Sequence, residues 1–280
     1  MDGLIFSIEE FALFDGPGIR TAVFMKGCSM RCAWCHNPEG LSAKRQLVRS
    51  PNGCLHCGRC TPLFALAPEE LSEEQLGVCP KGLLRISGKK YTAEELAKLL
   101  LKNENILKVN GGGITFSGGE CLLQGEFLLE VLERLNGRLH IAIETGGCAE
   151  PSVFSRVIEK VDLVYFDLKV MDDITACKYT GRDTRMIQEN FKTLVASGVP
   201  FVVRVPLIPG VTDTPENYAA IVEKVKGTKV SYVELLPYNQ LAGSKYAAVG
   251  MEYHPGFDEA REPEIDLGIF EENGIFVKVQ

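Results

Sequence analysis

The sequence predicts an α/β fold, an incomplete (β/α)6 TIM-like barrel over residues 1–280, interrupted after its first strand by a small insert at 42–90. Three observations carry this. Short apolar segments ending in Gly or turn residues alternate with amphipathic stretches, the rhythm of repeated βα units. There are six such segments, where a closed barrel of this kind has eight. The rhythm breaks only between Ser42 and Lys90, where Pro, Gly and four cysteines replace it.

Taken in order, the strands are expected at 20–25, 113–116, 139–144, 163–167, 201–206 and 230–236. The helical patterns lie between them. Thr92 and Glu95 form a capping box that opens one helix. Residues 122–135 carry Leu or Val at helical spacing, and 151–161, 186–197 and 215–226 follow. Gly111–Gly113 precedes a strand and does not join a strand to a helix, so it is not a phosphate cradle. The unusual polar motifs all follow a predicted strand. These are the Cys28 loop, Ser117-Gly118-Gly119-Glu120, Glu144-Thr145, Asp167-Leu168-Lys169, Pro209-Gly210 and Pro237-Tyr238-Asn239. In a parallel barrel those strand ends share one face, which is where such folds build active sites.

Composition narrows the class. No run of about 18 apolar residues appears, so no membrane span is expected. Asp2 and Glu9-Glu10 flank a short Leu4-Ile5-Phe6, unlike a secretory signal, and the protein is expected in the cytoplasm. Ten cysteines in a reducing compartment argue for metal over disulfides. A net charge of −7, with no basic block and no interleaved aromatic stripe, disfavours a nucleic-acid partner.

Cys28-Ser-Met-Arg-Cys32-Ala-Trp34-Cys35-His36 puts three thiols on one tight loop. An ordinary 4Fe–4S cluster takes four thiolates, so three leave one iron open. Zinc, with His36 as fourth ligand, is the alternative; disulfides fit such close spacing poorly. In the insert, Cys54-x2-Cys57-x2-Cys60 is followed by Cys79-Pro80. That pattern resembles one half of a bacterial ferredoxin and suffices for one further 4Fe–4S cluster. A structural zinc held by the four cysteines, with His56 nearby, is the alternative. Either metal would stabilise a segment too small to hold itself together. Cys121, Cys148 and Cys177 are left over, and such cysteines are commonly small buried hydrophobes.

The aromatic Trp34 before the last cysteine, Asp15-Gly-Pro-Gly-Ile-Arg20, Cys35-His36-Asn37-Pro38-Glu39, Gly111 to Glu120, Asp167 to Lys169 and Glu234 to Asn239 together resemble the radical S-adenosylmethionine (SAM) superfamily. Within it they are similar to the activating enzymes of glycyl-radical enzymes. The resemblance implies an open iron at Cys28, Cys32 and Cys35 that chelates SAM, with Trp34 near the adenine and His36 beside the cluster or SAM. It assigns Gly118, Gly119 and Glu120 to the α-amino group, Asp167, Leu168 and Lys169 to ribose and carboxylate, Arg204 to the carboxylate and Asn239 to the ribose.

By the same resemblance Glu144, Thr145 and Asp167, with the Tyr165 carbonyl, form a monovalent-cation site, although relatives often carry Asp at the Glu144 position. Asp15 faces the glycine loop of a protein substrate, and the tail from Leu241 faces the same partner. The implied reaction is reductive cleavage of SAM, followed by hydrogen abstraction from a glycine Cα of a partner glycyl-radical enzyme. A flavodoxin or ferredoxin supplies the electron, and the chain acts as a monomer. The rival readings are a radical SAM enzyme for a small molecule or peptide, a non-catalytic iron–sulfur electron carrier, and a zinc-stabilised binding module.

Overall fold

The computed structural model describes residues 1–50 and 52–280. Its strands are β1 (Asp2–Ala12), β2 (Arg20–Met25), β3 (Gln46–Arg49), β4 (Leu84–Ser87), β5 (Lys89–Thr92), β6 (Gly113–Gly118), β7 (His140–Thr145), β8 (Leu163–Asp167), β9 (Phe201–Leu207), β10 (Val230–Pro237) and β11 (Val277–Val279). Nine of them form one sheet in the order β11-β10-β9-β8-β7-β6-β2-β1-β5. From β2 through β11 every neighbouring pair is parallel, while β1 and β5 add an antiparallel edge. The six expected strands are the consecutive run β2 and β6 to β10, displaced by at most two residues at either end.

Strand alternation divides this sheet chemically. Ile114 and Phe116, Ile141 and Ile143, Val164 and Phe166, Val203 and Val205, and Val233 and Leu235 all face the helices and build the main core. A ladder of rings, Phe154–Phe166–Phe191–Phe201, runs through that core with centroids 5.3–6.1 Å apart. Each buried Phe contributes about 1.5–3 kcal/mol. The alternate residues face the other way. They include Thr115, Ser117, Glu144, Tyr165, Arg204 and Glu234, a largely polar surface with only a small apolar cluster of Ala142, Tyr165 and Val202.

Helices Ala93–Leu100, Gly125–Leu135, Pro151–Ile158, Arg185–Ser197 and Pro215–Val225 match the expected patterns. Two boundaries differ for local reasons. Residues 121–124 form a 3-10 turn before the helix proper. The helix expected to 161 stops at Ile158, because Asp162 turns the chain by exchanging hydrogen bonds with Ile141 of β7. The helix Asp173–Thr180 has no apolar stripe and buries only Ala176 and Thr180, so periodicity misses it. Its caps are readable all the same, with Asp172 accepting from Thr175 N and Gly181 ending it at φ 71°. The first strand, β1, escapes notice because two register shifts break its alternation.

The last two residues of the expected insert, Lys89 and Lys90, belong to β5 and pair with β1 in the main sheet, so the segment that departs from the sheet ends at Gly88. Antiparallel β3 and β4 frame it, and Leu47, Cys60 and Leu84 make a small core separate from the main one. Val48 joins it to the C-terminal segment through Ala248 and Val249.

Candidate active site

Backbone hydrogen bonds fix the cysteine loop that leaves β2. Glu120 N donates to Gly27 O at 2.7 Å, and Gly27 N donates to Gly40 O at 2.8 Å. On the far side, Arg31 N and Ala33 N donate to Thr180 O and Tyr179 O at 2.7 and 2.8 Å. Lys26 closes the loop's base, its buried ammonium donating to Glu39 O and to Gln46 Oε1 at 2.7 and 2.9 Å. Cys28, Cys32 and Cys35 are all free thiols. Burial pushes the Cys28 and Cys32 thiols up to about 12 and raises Cys35 as well. Thiols in such a setting ionise when a metal takes the place of the proton, and Met30 N already points at Cys28 Sγ from 3.4 Å. The donor set therefore fits an iron–sulfur group.

The two glycines before Glu120 are required by close approach. Gly118 has φ 113°, and a Cβ there would lie 2.4 Å from Met25 N. A Cβ on Gly119 would lie 2.3 Å from Gly27 O and 2.4 Å from Gly40 O. The Gly118-Gly119-Glu120 turn is thus pressed against the base of the cysteine loop. Glu120 is 1 % exposed, and its carboxylate accepts from Thr145 Oγ1 (2.8 Å), Gly146 N (3.0 Å) and Leu122 N (3.3 Å). It ties the ends of β6 and β7 together and caps the turn that follows.

Lys169 pairs with Asp167 at 2.7 Å. Burial opposes its charge, but the Asp167 carboxylate outweighs burial and holds the ammonium above its ordinary range. Arg204 pairs with Glu144 and, at 2.6 Å, with Glu234, while its guanidinium lies 3.9 Å over the Tyr165 ring. Burial opposes this charge too, and the two carboxylates overcome it. Ser117 donates to Glu144 at 2.5 Å. The three side-chain donors of the expected cation site are therefore each committed to different partners: Glu144 to Ser117 and Arg204, Thr145 to Glu120, and Asp167 to Lys169.

Trp34 is buried at the mouth among Val170, Ile208 and Val211, with Tyr179 and Tyr238 alongside. His36 is exposed on one side, and the protein packed around the rest of its ring, then Lys245, keep it below its ordinary pKa. Leu168 is buried. Asn239 is exposed, and its Oδ1 accepts from Leu241 N at 3.0 Å. The structure also brings in residues to which sequence reasoning gives no role. Glu234 is one. Tyr246 is another, buried beside the Cys35 thiol, its ring tilted against that of Tyr253 with centroids 4.7 Å apart. The only charged residue in strand β10 is the readable signal for Glu234; nothing local marks Tyr246.

Asp15 lies on the polar face of the sheet, its backbone carbonyl accepting from Thr115 Oγ1 at 2.6 Å. Burial and then Glu144 push its carboxyl up to about 6, with Arg204 and Arg20 opposing. An unfolded Asp titrates near 3.9. Between these values the native state holds a proton that the unfolded state has lost, so stability falls as pH rises from about 4 to 6. Asp15→Asn is expected to flatten that fall, by on the order of 2 kcal/mol, in urea midpoints measured from pH 4 to 7. Identical pH slopes in the two proteins would refute this.

The Radical SAM superfamily model matches residues 22–222, which run from β2 to the helix before β10. The chain belongs to the radical SAM superfamily. With that membership come a 4Fe–4S cluster and SAM, on an α/β fold with a mostly parallel sheet. Among radical SAM relatives, the chain is 36% identical to the pyruvate formate-lyase 2-activating enzyme of Escherichia coli (strain K12), covering 88% of this chain and 80% of that one. It is 34% identical to the 4-hydroxyphenylacetate decarboxylase activating enzyme of Clostridioides difficile (strain CD196), covering 98% and 95%. A crystal structure of a domain of pyruvate-formate lyase-activating enzyme from Bacteroides vulgatus ATCC 8482 superposes with a TM-score of 0.50 at 25% identity. It covers 61% of this chain and 99% of its own. In the chain, no helix among the described residues is long and apolar enough to cross a membrane.

Proposed function

We propose that this radical SAM protein is an activase that installs a radical on a glycine of a partner glycyl-radical enzyme. One observation carries the reading. Three free thiols, Lys169, Asp167 and Glu120 gather at one end of six parallel strands, in a chain whose relatives are activating enzymes. The strand run with its helices is read as an incomplete (β/α)6 barrel spanning 1–280. Residues 42–88 are read as a ferredoxin-like insert, a reading supported by their separate core and by the one pocket that all four insert cysteines line.

Cys28, Cys32 and Cys35 would hold the site cluster, and Cys54, Cys57, Cys60 and Cys79 a second one. Bound there, the site cluster and SAM supply a one-electron cleavage that yields 5′-deoxyadenosine and leaves the radical on the partner's glycine. The chain's own groups bind and orient. Lys169 offers a fixed ammonium to the SAM carboxylate, and Arg204 adds a second positive charge on the same face. The backbone of Gly118 and Gly119 offers acceptors to the α-amino group, with Glu120 bracing that turn. Trp34 gives an apolar wall for the adenine, and His36 stays neutral as a hydrogen-bond partner. Asp167 serves the ribose, with Asn239 at the outer rim. A monovalent cation at Glu144, Thr145 and Asp167 would have to displace Arg204 and Lys169. In this reading those two residues balance the carboxylates. Asp15 meets the partner's glycine loop.

The test is anaerobic incubation of the reduced protein with SAM and a panel of glycyl-radical enzymes, read by electron paramagnetic resonance. A glycyl doublet on one panel member, with 5′-deoxyadenosine formed alongside, is the expected result. Cleavage of SAM with no radical on any of them would favour the small-molecule reading. A narrower expectation concerns the insert. Cys79→Ala should lower bound iron from about eight to about four per chain. Dithionite-driven SAM cleavage should survive, because the insert's core is separate from the main one. Unchanged iron would refute the second cluster.

A further inference from the structure

The charges of the insert are sorted, and the fold completes the sorting. Residues 42–60 and 79–88 contain Lys44, Arg45, Arg49, Arg59, Lys81 and Arg85 and no Asp or Glu. Residues 61–78 between them carry four Glu and no Lys or Arg. The whole chain has a net charge of −7, so this basic concentration runs against the average. The two basic stretches are separate in sequence, and pairing of β3 with β4 brings them side by side.

Some of these charges are already answered. Arg85 pairs with Glu39 at 2.5 Å, and Arg45 lies 4.0 Å from Glu69. Arg49, Arg59 and Lys81 are in no ion pair among the described residues, and all three line the pocket that holds the four insert cysteines. Arg49 points inward, its Nη1 donating to Cys60 Sγ at 3.8 Å. Arg59 and Lys81 are exposed, as is the Cys57 thiol. Leu55, 59 % exposed, stands on the same rim. An apolar contact, two free cations and an open thiol therefore share one face.

We propose that this face is the docking surface for a small acidic one-electron carrier protein. Charge complementarity decides the occupant. Unpaired cations around an apolar centre attract an acidic surface, steer its approach and fix its register. A basic rim that served only to neutralise the thiolates would not need to point into solvent. In docking, the carrier is oxidised by one electron and the centre held by Cys54, Cys57, Cys60 and Cys79 is reduced by one. The proposal rests on the reading of those cysteines as a redox centre, whereas the surface itself is tested by binding.

The probe is oxidised flavodoxin, titrated calorimetrically into the iron-loaded protein and into Arg59→Glu/Lys81→Glu at several salt concentrations. Wild-type affinity is expected to fall steeply as salt screens the pair. The variant should bind about tenfold more weakly at low salt, while keeping its iron and its reduction by dithionite. Equal affinity, affinity independent of salt, or equally tight binding of a polyanion such as single-stranded RNA would each overturn the proposal. If the charge-reversed protein loses iron, Arg59→Gln/Lys81→Gln replaces it. That variant should still bind about threefold more weakly, and unchanged binding there overturns the proposal too. Wild-type iron of about four per chain would instead remove the redox-centre reading, a failure distinct from lost docking.

Discussion

Cys28→Ala is expected to abolish 5′-deoxyadenosine formation from SAM under dithionite. The loss should exceed about a hundredfold, the largest effect usual for removing an outer-shell partner of a metal site. In the proposed reading Cys28 is a direct ligand, and its loop is held by backbone bonds from the turn after β6, from Gly40 and from the helix Asp173–Thr180. Losing one thiol from that frame leaves two, with no spare cysteine on the loop. Bound iron should fall by about half, with the insert's share retained. Circular dichroism should show the fold intact, since Cys28 belongs to none of the apolar clusters. A Cys28→Ala protein that still cleaves SAM at the wild-type rate would refute the assignment of the site.

The second large effect is expected at Gly119. Its missing side chain is what lets the turn after β6 lie against the cysteine loop. A methyl there would sit 2.3 and 2.4 Å from two carbonyl oxygens, Gly27 O and Gly40 O. Both belong to backbone that is hydrogen-bonded in place, with Gly27 N on Gly40 O and Glu120 N on Gly27 O. Neither can swing aside as a side chain would. Gly119→Ala should therefore destabilise the protein by about 3 kcal/mol, the upper part of the range for overpacking. That corresponds to a fall in Tm of about 2–4 °C for each kcal/mol. Because the strain falls on the loop that carries Cys28, iron incorporation at the mouth should suffer as well. A melting temperature and iron content equal to wild type would show that the loop yields freely and that the close approach has no role.

Much of this architecture is legible in the sequence, for identifiable reasons. Segments such as 201–206 announce themselves by β-branched residues bounded by turns, and the six predicted strands form the centre of the sheet. The capping box at Thr92 and Glu95 is local hydrogen bonding, and it is present in the fold. β1 is hidden because register shifts break its period, and the helix Asp173–Thr180 because it buries almost nothing. Both failures come from relying on periodicity where burial is not periodic.

The site divides in the same way. Cys28, Cys32, Cys35 and Trp34 share one short loop, so their grouping is visible in the spacing. The insert cysteines likewise declare themselves, and all four line one pocket. Partners far apart in the chain are not readable. Arg204 is bound between Glu144 and Glu234, sixty and thirty residues away. Tyr246 reaches the mouth from a segment whose local pattern gives no hint of it. The sequence by itself determined the repeating βα order, the two cysteine sets and the family, because each is written in spacing along the chain. Only the tertiary structure decided which carboxylate answers which cation, and that two basic stretches meet beside an exposed thiol. Electrostatic pairing depends on distance through space, and residue order does not encode that distance.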